Sequence, residues 1–309
     1  MINSIINSPY FGEISALIAA LCWSIAIIIF KSASRFLSPI LITALKNTIA
    51  LFLFIILFLL FDIPFWNYEI ETIDYLKLMI SGLIGMGIGD ILFIYALSQI
   101  GANRIAIINC FEPAVIYLFS IFLLGTVLTT QQLIGFIIVI ISLLIISNEN
   151  DSEDIDPKTK RKGMFIQISA VILSSLGIVL IKPVLSLSSN DIQMQLWITS
   201  VRLFPGFIVA WIIFILQKNK LSLLSPLKDF KLLWKILLSS GLGTFVALSF
   251  WIVGYANIEK PPVASIIGQT SVIFIIILSY IFLKEKISKL RIVSILFALS
   301  GVILIALKI

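Results

Sequence analysis

The sequence predicts an all-α integral membrane protein of ten transmembrane helices, arranged as two inverted five-helix repeats. Three observations carry that fold class. Of the 309 residues 60% are hydrophobic and 12% charged, with a mean hydropathy of +1.14, whereas ordinary soluble domains are about 25% charged. Apolar runs recur at roughly the 18–25 residues that cross a hydrocarbon core of about 30 Å. Backbone groups in lipid must be satisfied within their own segment, so these runs are helices. Finally, GEISALIAALCWSIAIIIFKS from Gly12 is echoed without gaps by GMFIQISAVILSSLGIVLIKP from Gly163, with Gly12/Gly163, Ala19/Ala170, Ser24/Ser175, Ile27/Ile178 and Lys31/Lys182 coinciding. Five spans per half is an odd number, so the second copy enters the bilayer upside down.

Taken in order, the helices are expected at 12–32, 39–61, 76–98, 104–124 and 130–147, then at 163–185, 192–217, 232–256, 261–284 and 288–308. The first and sixth carry the echoed segment. The second and seventh each hold one basic residue, Lys46 and Arg202, at a shift of 156. The stretch 85–125 aligns with 243–283 at a shift of 158, matching Gly85/Gly243, Ile100/Ile258, Ala106/Ala264 and Ile108/Ile266. The domain organisation is therefore a first repeat at 12–147, a linker at 148–162 and a second repeat at 163–308. The linker, NENDSEDIDPKTKRK, is the one strongly charged run and reads as solvated. Polar connections also fall at 62–75 and 218–231.

Several function classes are excluded or weakened. Histidine is absent, removing the commonest general base and metal ligand. Cys22 and Cys110 lie far apart in apolar stretches and read as small packing residues. There is no Walker A loop, no G-x-S-x-G and no H-E-x-x-H. The chain is thus read as a non-enzyme that needs no cofactor and no metal. The first apolar run continues as a full span, without a cleavable signal peptide. The net charge of +6 is not read as nucleic-acid affinity, because its distribution among loops carries the information. Connections after the odd-numbered helices hold 16 Lys and Arg and the opposite face only Lys77, Lys182, Lys260 and Lys308. That asymmetry puts the odd-numbered loops in the cytoplasm and both termini outside a plasma or inner membrane.

Four ionisable residues fall well inside spans, away from their ends: Lys46, Asp90, Glu112 and Arg202. Each costs roughly 2.5–3.5 kcal/mol at a helix centre and needs a partner, a wet cavity or a route to the interface. Lys46, about 10 Å deep by helical rise, either snorkels or pairs. Arg202 lies deeper, as a cavity or ion-pair residue. Asp90 closes the glycine run GLIGMGIGD, in which Gly85 and Gly89 permit close helix packing. Glu112 precedes Pro113, read as a mid-helix proline that frees a carbonyl and is tolerated beside a cavity. INCFEP (Ile108 to Pro113) is the best single pointer to a pathway. Two acids and two bases sum to zero, so internal ion pairing is an equal reading. Trp23, Tyr117 and Trp251 are candidate cavity walls, and Asn109 and Gln269 are buried amides that require partners. Gln269, two positions from Asn109's repeat counterpart Ile267, is expected to project in another direction.

These residues also resemble a known family. Ala20–Leu21–Cys22–Trp23–Ser24, Arg202 and Lys46 in the second span of each half, Tyr95–Ala96–Leu97 followed by Glu112–Pro113, and Leu283, Glu285, Ile287 and Ser288 are similar, in that order, to the EamA branch of the drug/metabolite transporter superfamily. The chain departs from that pattern at Lys284, where the family has glycine, at Thr126 in place of its glutamate, at Ser271 in place of proline and at Ser174 in place of tryptophan. The resemblance implies a central cavity, alternating access and export of amino acids or other small metabolites. Inverted repeats generally place a substrate site where the halves meet near the midplane. The expected partners are a small-molecule substrate, coupled protons and the lipid bilayer, with monomer and homodimer both open. A multidrug or sugar-phosphate carrier, or a membrane assembly subunit without transport activity, are the alternatives.

Overall fold

The computed structural model describes residues 8–68, 70–147, 156–189, 191–218, 220–283 and 289–306. No strand occurs among them. The helices are α1 (Phe11–Ala33), α2 (Pro39–Leu60), α3 (Thr72–Gly101), α4 (102–109), α5 (Glu112–Leu124), α6 (Thr130–Ser147), α7 (Pro157–Leu180), α8 (Lys182–Leu187), α9 (Ile192–Ile215), α10 (Lys220–Leu224), α11 (Phe230–Asn257), α12 (Pro261–Gly268), α13 (Thr270–Leu283) and α14 (Lys289–Ala306). Among the described residues, α1, α2, α3, α7, α9 and α11 are long and apolar enough to cross a membrane, and shorter apolar helices follow in α5, α6, α12–α13 and α14. Large apolar side chains such as Phe52, Leu60, Phe122, Phe165 and Leu216 are largely exposed, as a lipid solvent allows.

Local chemistry sets the starts. Ser38 Oγ accepts the Leu41 N–H at 3.3 Å ahead of Pro39, and Asp191 accepts that of Met194 at 3.0 Å. These short polar side chains satisfy N–H groups that a helix leaves unpaired. The same device moves one expected boundary. The charged stretch 148–162 is not a linker throughout, because Asp156 accepts the Thr159 N–H at 3.0 Å and Pro157 opens α7. Residues 148–155 lie outside the described residues.

The halves pack by equivalent contacts. α3 lies on α7 as α11 lies on α1. α3 meets α9 as α11 meets α2, and α5 meets α7 as α12 and α13 meet α1. The pairs α2·α9 and α6·α14 map onto themselves. Finer details repeat too. Lys31 donates to the Leu97 carbonyl at 3.1 Å. Its counterpart Lys182 donates to the carbonyls of Tyr255 and Ile258 at 2.7 and 2.6 Å. Both lysines read as loop charges in the sequence; instead each neutralises carbonyls near the end of its half's third long helix, where the dipole favours a cation.

Both third helices widen at the same register, α3 over Gly82–Gly89 and α11 over Gly241–Ala247, into π-helical stretches. Such stretches are rare and concentrate at functional sites. Glycine is required in the first by close approach. A Cβ on Gly82 would overlap the Arg202 carbonyl and the Pro205 ring of α9, and one on Gly206 would overlap Met86.

Two expected helices are broken. The segment 104–124 is interrupted at Cys110–Phe111, and Pro113 lies in the first turn of α5. The reading of a mid-helix proline is thus corrected: a proline lacking N–H fits a first turn, where that N–H would be unpaired anyway. The segment 261–284 is interrupted at Gln269, which ends α12 before α13 begins. Phe111 and Gln269 are 158 residues apart, the repeat shift of this region. The Leu283–Ser288 motif reaches only its first residue's backbone here, as 284–288 lie outside the described residues.

Candidate functional site in the cavity between the halves

A cavity of about 170 Å³ lies among α1, α3, α7, α11 and the two helix breaks. One water needs roughly 10–15 Å³ on this measure, so the space accepts a small organic molecule. Of the residues singled out in the sequence, Trp23, Asp90, Asn109, Glu112, Trp251 and Gln269 line it together. They come from α1, α3, α4, α5, α11 and the break after α12, and the breaks explain why. Glu112 opens α5 and Gln269 closes α12, so both side chains leave at helix ends that face each other. Gln269 Nε2 donates to Glu112 Oε2 at 2.9 Å. The expectation that Gln269 projects away from Asn109 is corrected, since the helix break redirects it into the same cavity.

The neutral side of the cavity is an amide pair. Gln167 of α7 donates from Nε2 to Asn109 Oδ1 at 2.8 Å, in a place where an unpaired amide N–H would be costly, while Gln167 Oε1 is buried without a hydrogen-bond partner among the described residues. Asp90 is held otherwise. Lys46, 2% exposed, contacts Asp90 Oδ2 at 2.5 Å and Asn47 Oδ1 at 3.2 Å. Of the two readings for Lys46, pairing is the one the geometry shows. Asp90 is thereby neutralised, and Glu112 is the carboxylate of the cavity wall without a cationic partner among the described residues.

Arg202 and Tyr117 do not line the cavity. Arg202 sits behind Trp251, its Cζ 5.4 Å from the indole ring, and donates from Nε to Ser81 Oγ at 2.7 Å. The Tyr117 ring packs against Phe136. Helix periodicity alone could not separate these from wall residues, because the breaks change which face of each segment points inward. Gln167 and Phe93 are wall residues that the sequence reading passed over, and Ser174 and Ser271, known from the sequence only as departures from the family pattern, line the wall with Ser265. Gln167 left a usable signal, as an isolated amide inside an apolar run. Phe93 left none; its ring lies 5.8 Å from that of Trp23.

The arrangement offers one uncompensated carboxylate, hydrogen-bonding amides and hydroxyls, and three aromatic rings in Trp23, Phe93 and Trp251. It can take up a proton or a polar group at Glu112 and stack an apolar body beside it.

Comparisons with known proteins agree with the fold. A solved crystal structure of a protein is similar with a TM-score of 0.76 at 14% identity, covering 96% of each chain, a likeness that shows the fold alone. No curated protein matches. The model of the EamA-like transporter family matches twice, at residues 10–148 and 161–307. With nearly the whole sequence so matched, the chain belongs to the EamA-like transporter family, membrane transporters of the drug/metabolite superfamily.

Proposed function

We propose that this protein is a secondary transporter of ten membrane spans in two inverted repeats, at 12–147 and 163–308. It exports small metabolites such as amino acids by alternating access through the cavity between the repeats. The observation that carries this reading is Glu112. It stands at the start of a half-helix, faces a cavity and is bonded across the repeat boundary to Gln269, which ends a half-helix of the other copy. Discontinuous helices meeting at a cavity between inverted halves are a recurrent transporter site. The equivalent helix pairings of the two halves support the inverted arrangement. Glu112 couples flux to protons by exchanging its proton for a substrate group. Lys and Arg counts support odd-numbered loops in the cytoplasm, and export is the direction the resemblance implies.

A multidrug carrier is the second reading, favoured by the three aromatic rings around Glu112. A sugar-phosphate carrier lacks comparable support, because Lys46 is tied to Asp90 and Arg202 is screened by Trp251.

Purified protein in vesicles, with an imposed pH gradient and radiolabelled amino acids, nucleobases and an organic cation as probes, tests the proposal. Gradient-driven flux of one class is expected, and Glu112→Gln is expected to abolish it without preventing insertion. Flux unchanged in that variant would remove Glu112 from the mechanism. Absence of gradient-dependent flux across the panel would remove the transporter reading.

A further inference from the structure

Lys46 and Arg202 occupy equivalent places in the two halves, yet one acid lies near both. Lys46 is in direct contact with Asp90. Arg202, 1% exposed, uses Nε on Ser81, and its Nη1 and Nη2 have no hydrogen-bond partner. Buried nitrogens of a charged group left unbonded are costly. What offsets the cost is the face of Trp251 and the charge of Asp90, which reaches Arg202. The geometry brings these two close. A Cβ on Gly85 would lie 3.2 Å from Arg202 Nη2. The Asp90 N–H donates to the Gly85 carbonyl five residues back, so Asp90 stands one helical turn from the guanidinium.

We propose that Lys46 and Arg202 hold Asp90 in turn, the Lys46–Asp90 pair marking one access state and an Arg202–Asp90 pair the other. Both cations are then positioning residues. The stretch Gly82–Gly89, half of it glycine, supplies the motion. Taking its extra residue back into α-helical register turns Asp90 about the helix axis by about 100°. Each cation has somewhere to rest. Lys46 keeps Asn47 Oδ1, which it already touches, and Arg202 gains the acceptor its two nitrogens lack. Because Asp90 lines the cavity, the exchange remodels the wall that substrate meets.

This inference rests on the transporter reading, and one experiment separates their failures. The full chain carrying Cys22→Ala, Cys110→Ala and Ser174→Cys, the last on the cavity wall, is placed in vesicles in one orientation. It is then labelled from either face with a membrane-impermeant maleimide. Lys46→Gln leaves Arg202 as partner and is expected to shift the ratio of labelling between faces about fivefold or more, the lower end of coupling between sites. Arg202→Gln is expected to shift it the opposite way. In an Asp90→Asn background neither has an effect. Should Lys46→Gln fail to yield monodisperse protein, Lys46→Arg carries the test. Its planar fork grips a carboxylate better than an ammonium does, so it should move the ratio as Arg202→Gln does; movement the other way overturns the exchange. Two-sided labelling indifferent to positions 46 and 202, or shifted the same way by both, also overturns the exchange alone. One-sided labelling in every variant overturns the transporter reading itself.

Discussion

The two helix breaks stand at the same register of the repeat and are built from different chemistry. In the first half the break reads Phe111–Glu112–Pro113, and in the second Gln269–Thr270–Ser271. The first puts an acid and a proline in the opening turn of α5, where a negative charge complements the helix dipole. The second has no proline; Thr270 Oγ1 turns back to the Ile267 carbonyl at 2.8 Å, and the neutral Gln269 faces the acid. A shared scaffold thus yields one charged and one neutral lip, which meet in a single hydrogen bond. The lesson is that symmetry positions the site while its breaking supplies the chemistry. Trp23 and its counterpart Ser174 repeat the pattern, a ring on one wall and a hydroxyl on the other.

The comparison breaks most severely at the widened stretches. Gly82 opens the one in α3, where an added methyl group would overlap the backbone of α9. Gly241 opens the one in α11, where the nearest atom would be Leu53 Cδ1 at an ordinary 3.9 Å. Overpacking typically costs about 1–3 kcal/mol and more where backbone cannot move. Gly82→Ala is therefore expected to lose about 3 kcal/mol or more. Gly241→Ala should stay within about 1 kcal/mol of the parent, since alanine favours helix over glycine. Thermal unfolding of both variants in detergent checks this, and equal losses would mean that the halves tolerate methyl groups alike.

The lips come next. Gln269→Leu removes the amide that Glu112 accepts and is expected to cost about 1–3 kcal/mol, as for a buried acceptor left alone. Gradient-driven flux should fall with it. Gln167→Leu removes a bond between two neutral amides and is expected to cost about 0.5–1.5 kcal/mol. Unfolding midpoints and vesicle flux on both variants decide the matter. A larger loss at Gln167 would shift the weight of the site to its neutral side.

Much of this was legible. Composition and run length sufficed for membrane helices, and the echo from Gly163 for the duplication. Glu112 and Asp90 stood out because a carboxylate inside an apolar run has so few explanations. What stayed hidden were consequences of tertiary packing. Pro113 was visible, but a proline marks a first turn and a mid-helix kink with the same letter. The break at Gln269 had no comparable punctuation, as Ser271 stands where the first half has proline. Lys31 and Lys182 coincided in the repeat, yet only folded proximity to Leu97 and Tyr255 shows them capping carbonyls rather than lining a loop. Pairing of Lys46 with Asp90 required knowing that α2 faces the end of the glycine run.

The smallest expected effect concerns the residue that sequence reasoning assigned to the wall and packing removed from it. Tyr117 lies one and a half turns into α5 from Glu112, a spacing that turns its ring away from the cavity and toward Phe136 of α6, 6.0 Å between centroids. Its hydroxyl has no hydrogen-bond partner among the described residues, and the ring is half-buried. Tyr117→Phe therefore removes a group that bonds nothing while keeping the ring that packs. Stability should change by no more than about 0.5 kcal/mol, and flux should be unaltered. Trp251→Phe, on the true wall, also shrinks the surface over which Arg202 lies and should lower flux. If Tyr117→Phe altered flux while Trp251→Phe did not, the inward face of α5 would be the one containing Tyr117, and the charged lip would have to be rebuilt around it.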